Sequence, residues 1–151
     1  MDPNEMVEIT RNQVLQIFKE RFAKYLGSSE EETIHEVDPG IISWLRGPGS
    51  EIAEWHFKAF AEVDDLIRSN PNRDKRVSKE EVCDKYKDLG HYHNYDSFEG
   101  MYNEFKRDNE FVFRRRRFAE HLFAGNKDEA LEHLYRLLLI TDIDSLFGTS
   151  E

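Results

Sequence analysis

The sequence has a single cysteine, Cys83, which excludes an internal disulfide bond. A lone thiol suits a reducing compartment, so we expect an intracellular protein, in the cytoplasm or the nucleus. Long hydrophobic runs are also absent: the longest is Leu137 to Ile140, whereas a membrane-crossing helix needs about 20 apolar residues. The segment from Met1 to Glu5 has neither the basic nor the apolar part of a signal peptide. We therefore predict no membrane contact.

Positive charge is scarce, with 21 Lys and Arg against 31 Asp and Glu and a formal net charge of -10. Generic duplex binding depends on neutralising phosphates with Lys and Arg, so the balance makes nucleic acid an unfavoured partner. Aromatic residues make up 13% of the chain, including 11 Phe, which is far too many for a disordered acidic tail. A chain of 151 residues is about one domain long. We expect one helical domain over residues 1–151 with an aromatic core and a protein or a cation as partner.

Hydrophobic periodicity predicts an all-α, single-domain bundle of about six helices. The first helix carries Val14, Phe18 and Phe22 on one face and stops at Gly27. Asp38-Pro39 opens a second helix, and Gly47-Pro48-Gly49 is the firmest break in the chain.

A long amphipathic helix is expected after Ser50, followed by helices from Lys79 to Gly90 and from Asp96 or Ser97 onward. The last helix opens with a capping box of Asn126 and Glu129. Between Asn109 and Phe113 the pattern fits both strand and helix. We favour helix, because no second strand-like run is present to pair with it; a short strand or wing near 110–114 is the alternative.

Residues 70–81 offer oxygen ligands at positions 1, 3, 5, 7, 9 and 12 of a twelve-residue loop. The ligand at position 7 is a backbone carbonyl, and the others are side chains. The residues at these positions are Asn70, Asn72, Asp74, Arg76, Ser78 and Glu81. The segment resembles a degenerate EF-hand, which implies a calcium site between two helices and calcium as the one candidate cofactor. The sixth position, where the family has Gly, is Lys75, so the expected affinity is weak, roughly 0.1 to 1 mM, or absent. No second EF-hand is recognised. The alternative without a metal site is a polar loop followed by a helix whose capping box is Ser78 and Glu81.

Four consecutive arginines, Arg114 to Arg117, stand out in this acidic chain. With the helices before them they resemble a winged helix, whose second helix would read nucleic acid. That helix carries more acidic than basic residues between Ser97 and Glu110, so a winged shape would better suit a protein partner. Arg116 and His121 also match the spacing of the RNA-cleaving motif of HEPN nucleases. The alternative for the arginines is pairing with acidic faces of the same chain.

Signatures of common enzyme classes, such as HExxH, the P-loop and GxSxG, are absent from the sequence. We therefore predict a non-enzymatic, protein-binding module of adaptor or regulatory type, with homo-oligomerisation left open. The last helix spreads apolar residues over more than one face, which indicates a partner surface, although a wholly central helix is the alternative. The predicted contact residues are Leu137, Leu138, Ile140, Leu146, Phe147, Arg114, Arg115, Arg116 and Arg117.

Overall fold

The computed structural model describes residues 11–28, Leu45 and residues 53–140. Helix α1 covers residues 11–17 and continues as a π-helical segment, Phe18–Phe22, and a 3-10 turn, Ala23–Tyr25. The other helices are α2 (Glu54–Ser69), α3 (Lys75–Asp88), α4 (Tyr95–Ala124) and α5 (Lys127–Ile140). Because these residues contain no strand, the all-α prediction is confirmed for the part of the chain described.

Five helices are therefore described, and the one predicted to open at Asp38-Pro39 lies outside the described residues. The count of six stays a prediction. Residues 110–114 belong to α4, so the helix is the correct alternative there and the wing is not found. Asn109 is the one interruption in α4, with φ -130° and ψ 18°. Asparagine is a poor helix former because its side chain competes for backbone hydrogen bonds.

The described residues form two compact units. The first unit contains residues 11–28, Leu45 and 111–140, and the second unit contains residues 53–110. The boundary falls at the Asn109 break, so the two parts of α4 belong to different units. That the whole chain acts as one domain stays a prediction.

The first unit packs α1, the second part of α4 and α5 around one apolar cluster. Its fully or nearly fully buried members are Val14, Ile17, Phe18, Phe22, Tyr25, Leu45, Phe118, Leu122, Ala130, Leu134 and Leu137. The rings of Phe22 and Phe118 meet edge to face at 4.8 Å between centroids, an arrangement that the charge distribution of aromatic rings favours. The apolar faces of α1 and of the second part of α4 are therefore buried against each other.

Two glycines end helices of the first unit where they come together. Gly27 has φ 77° and Gly125 has φ 82°, a region in which a Cβ is unfavourable. A Cβ on Gly125 would lie 3.6 Å from the Cα of Gly27. The amide of Gly27 donates a hydrogen bond of 2.8 Å to the carbonyl of Leu122. The end of α1 is thus joined to the turn between α4 and α5 by backbone atoms.

The second unit packs α2, α3 and the first part of α4 around aromatic side chains. Phe60 contacts the rings of Phe105 and Tyr102 at centroid distances of 4.5 and 5.6 Å. Across α2 and α3, the Tyr86 hydroxyl donates a hydrogen bond to Glu62, which also accepts one from Lys85. The aromatic core predicted from composition is therefore found in both units.

The start of α3 corrects the sequence prediction of a helix beginning at Lys79. The helix begins at Lys75, because the Asp74 carboxylate caps it by accepting a hydrogen bond of 2.8 Å from the amide of Arg76. None of the described helices combines the length and the apolar character that crossing a membrane requires.

Candidate functional site

A polar cluster lies between the second part of α4 and α5, beside the apolar core of the first unit. Arg114 and His121 are seven residues apart on α4, and Glu129 and His133 are four residues apart on α5. Both spacings return a side chain to the same face of a helix. His133 is fully buried and Arg114 is 4% exposed, whereas His121 and Glu129 are half-buried. Polar side chains at such depth need partners from within the cluster.

The two histidines and the glutamate are close together. His121, Glu129 and His133 each offer one nitrogen or oxygen atom, and these atoms lie within 4.8 Å of one another. Nε2 of His121 is 3.8 Å from a carboxylate oxygen of Glu129. The imidazole rings of His121 and His133 are nearly parallel, with 11° between their planes and 5.5 Å between their centroids. This is the only such group of His, Cys, Asp and Glu found among residues 11–28, 45 and 53–140.

Arg114 fixes the protonation pattern of the buried histidine. Its Nη1 lies 3.1 Å from Nδ1 of His133, and a guanidinium can only donate. Nδ1 of His133 therefore accepts, and the hydrogen of a neutral imidazole resides on Nε2. On the other histidine, the Asn126 side-chain amide lies 3.3 Å from Nδ1 of His121. Since an amide offers a donor and an acceptor, either tautomer of His121 fits that contact.

Burial also affects the neighbouring arginine. Arg115 is 6% exposed, and desolvation lowers the pKa of its guanidinium. Its guanidinium carbon lies 5.8 Å from the centre of the Phe111 ring, so part of its environment is aromatic. The arginine run thus places its first two members inside the first unit.

The remaining two arginines lie nearer the surface and are paired with Glu120. Arg117 contacts the carboxylate at 2.8 Å and Arg116 at 3.9 Å. Of the four arginines predicted to bind a partner, Arg114 and Arg115 are buried; partner binding by the run stays a prediction. Arg116 and His121, the HEPN-like pair, are five residues apart, which is about 140° around a helix. Their side chains therefore leave α4 in different directions.

The EF-hand-like residues are not arranged as an open loop. From Lys75 onward they are helical, so Arg76, Ser78 and Glu81 lie on turns of α3. Ser78 is 1% exposed. The Glu81 carboxylate is 3.1 Å from Arg73. Among these residues Asp74 is the helix cap; calcium binding by the segment stays a prediction.

The predicted apolar contact residues of the last helix have different environments. Leu137 is fully buried in the core, which is the wholly central position that the alternative expected; a partner contact there stays a prediction. Leu138 is half-buried, and Ile140 is 44% exposed. Leu146 and Phe147 lie outside the described residues. Leu139, which was not predicted, is the most exposed of the leucines on α5 at 57%.

Sequence reasoning missed His133 and treated Glu129 as a helix cap alone. One signal was available: His133 falls beside Ala130, Leu134 and Leu137 on the buried face of a strongly periodic helix. A histidine at such a position needs a polar partner. That Arg114 is the partner depends on a helix-to-helix contact, which one sequence does not reveal.

Comparisons of the chain with protein-family models, with curated proteins and with solved structures found no match.

Proposed function

We propose that the chain is a non-enzymatic helical module that binds a protein partner through the end of α5. One observation supports this most directly. Leu139 and Ile140 are adjacent, are 57% and 44% exposed, and directly follow core residues of the same helix. Adjacent exposed apolar side chains can form the centre of a contact surface, provided that they belong to a larger apolar patch. The role remains a proposal, as does the cytoplasmic or nuclear location expected from the lone cysteine.

Charge indicates what kind of partner would fit. The net charge of -10 favours association with a basic surface and opposes association with an acidic one. The partner would therefore combine an apolar contact with positive charge around it. A second copy of the chain would meet like charge, so self-association is the less favoured use of the same surface.

The two alternative functions have less support from the geometry. A nucleic-acid surface needs exposed cations, whereas Arg114 and Arg115 are buried and Arg117 contacts Glu120. Calcium regulation needs converging oxygen ligands, whereas Glu81 contacts Arg73 and α3 begins in the middle of the loop. Salt-sensitive binding of RNA or DNA would favour the first alternative, and saturable calcium binding would favour the second.

The test compares partner capture by the full chain and by a double variant, Leu139→Gln with Ile140→Gln. Leu89→Gln is the matched control, because Leu89 is also an exposed leucine, at 62%, but lies in the second unit. We expect the double variant to lose a bound protein that wild type and control retain, with the same melting temperature in all three. Retention of every bound protein by the double variant would contradict the proposal. Sedimentation of the same three proteins tests self-association.

A further inference from the structure

We propose that His121, Glu129 and His133 form a binding site for a zinc ion, a function separate from the proposed protein contact. Imidazole nitrogen and carboxylate oxygen are common zinc ligands, and two histidines with one glutamate can hold the ion with water in a fourth position. The weak calcium site expected at residues 70–81 differs, since calcium prefers oxygen ligands alone.

Helix geometry brings the three ligands to one place. Glu129 and His133 are one turn apart on α5, the same spacing that lets two side chains of one helix share a metal ion. His121 comes from α4, immediately before the Gly125 turn. Ligands on rigid helices are positioned more precisely than ligands on loops.

The distances require a small contraction on binding. Ligand atoms held at about 2.1 Å from a tetrahedral zinc ion lie roughly 3.4 Å apart. The His121 and Glu129 atoms are already 3.8 Å apart, and the group as a whole lies within 4.8 Å. Because His121 and Glu129 are half-buried, the proposal assigns the remaining movement to rotation of these two side chains. His133 is fully buried and is the fixed member of the group.

Arg114 opposes the ion, and this gives the proposal a distinctive consequence. Zinc needs a lone pair on His133, but Nδ1 accepts the Arg114 hydrogen bond at 3.1 Å and Nε2 then carries the hydrogen. Binding must therefore displace either the guanidinium or a proton. If the guanidinium stays, its positive charge lies close to the ion and weakens binding. If it moves, the loss of its hydrogen bond to His133 opposes binding. Zinc affinity should rise with pH, because ligands bind in their deprotonated form.

The experiment is a calorimetric zinc titration of the full-length chain after treatment with a chelator, repeated with His121→Gln and Glu129→Gln. The matched controls are His93→Gln, an exposed histidine of the second unit, and Glu132→Gln, a glutamate of α5 that pairs with Arg136. Cobalt, whose visible absorption reports tetrahedral coordination, is the second probe. Neither ligand variant alters the fully buried His133, so both should fold. An unchanged circular dichroism spectrum checks this.

We expect one saturable zinc site in wild type and both controls, a raised melting temperature with zinc, and loss of both effects in the two ligand variants. Arg114→Gln should bind zinc more tightly, by at least about 10-fold, because the positive charge beside the ligand is removed. Absence of saturable binding, or binding that Glu129→Gln retains, would overturn the site. Unchanged affinity in a folded Arg114→Gln variant would overturn the assignment of His133 as a ligand. None of these results depends on the protein partner.

Discussion

The guanidinium of Arg114 donates a hydrogen bond to Nδ1 of His133 although both side chains are buried in the first unit. Burying a charge is costly unless it is hydrogen-bonded. Loss of this contact should therefore cost more free energy than loss of a surface pair. An interaction of this kind need not increase stability relative to apolar residues of similar size. Removing one member alone, however, leaves a buried polar group without this contact.

We predict that Arg114→Met lowers the free energy of unfolding by about 2 to 4 kcal/mol, because His133 loses its buried donor. The double variant Arg114→Met with His133→Leu should recover part of that loss, since both polar groups are then gone. Urea unfolding of wild type, the two single variants and the double variant gives the coupling energy. Strictly additive single effects would show that the hydrogen bond does not couple the two positions.

The hydroxyl of Tyr86, as well as its ring, should contribute to the free energy of unfolding. It donates to Glu62 across α2 and α3, and Tyr86→Phe should cost about 1 to 2 kcal/mol in urea unfolding because a hydrogen bond to a carboxylate is lost. Tyr95→Phe is the control: its hydroxyl donates to Glu99 within one helix turn, so the loss should be smaller. An equal loss in both variants would contradict the special role of the link between helices.

The same tyrosine predicts a stability change at alkaline pH. Burial, the Glu62 hydrogen bond and the Glu62 charge raise the pKa of Tyr86 to about 12. The unfolded chain, with an ordinary pKa of about 10, loses this proton first, so the contribution is complete below about pH 10 and is lost as the pH rises toward 12. Tyr86→Phe should therefore lose less stability than wild type over that range. Melting temperatures of the two proteins measured at intervals of pH provide the check.

His56 should make the protein less stable in mild acid. Its Nδ1 lies 2.8 Å from the Tyr92 hydroxyl, and burial lowers the pKa of the imidazole. Below the unfolded value of about 6.5, the unfolded chain takes up a proton that the folded chain resists, so stability falls as the pH falls. His56→Gln should flatten the melting temperature profile between about pH 7 and 5, whereas His93→Gln, an exposed histidine, should leave the profile unchanged. Parallel profiles for wild type and His56→Gln would disprove this assignment.

The EF-hand resemblance yields a separate prediction at residues 70–81. Because Glu81 contacts Arg73 and α3 starts at Lys75, we expect no saturable calcium binding below about 0.1 mM. Calorimetric titration of wild type, Glu81→Ala and Glu132→Ala, with magnesium as a second ion, measures this. Tight binding that only Glu81→Ala abolishes would make calcium regulation, the alternative function, the leading one.

That the described segments are helices rather than strands was predictable from the sequence, because local periodicity distinguishes the two. The π-helical segment Phe18–Phe22 was not predicted. The first helix, with Phe18 and Phe22 on one face, and the last, with Leu134 and Leu137, are buried along the faces that the pattern indicates. Helix limits were less predictable. Asp74 and Ser78 are both good caps, and only the structure shows that the earlier one is used.

The candidate site was only partly predictable, because its members come from two helices. The sequence drew attention to the arginine run and to His121. It predicted partner binding for the arginines and, as an alternative, RNA cleavage by Arg116 and His121. It did not indicate that Arg114 turns inward to His133, since a run of four arginines gives no sign of which members face the core. The break at Asn109 was visible only as an ambiguity between strand and helix.

The composition of the two units has a consequence for the order in which the chain folds during synthesis. The second unit is continuous in sequence, over residues 53–110, whereas the first unit joins residues 11–28 to 111–140. The hydrogen bond from Gly27 to Leu122 must therefore close a long loop, which costs entropy and slows the contact. During synthesis, α1 is made before the second part of α4 and α5, so its buried face has no partners until both of those segments have been made. Pulse-labelled hydrogen exchange during refolding should accordingly protect α2 and α3 before α1. The apolar face of α1 stays exposed until the second part of α4 and α5 pack against it.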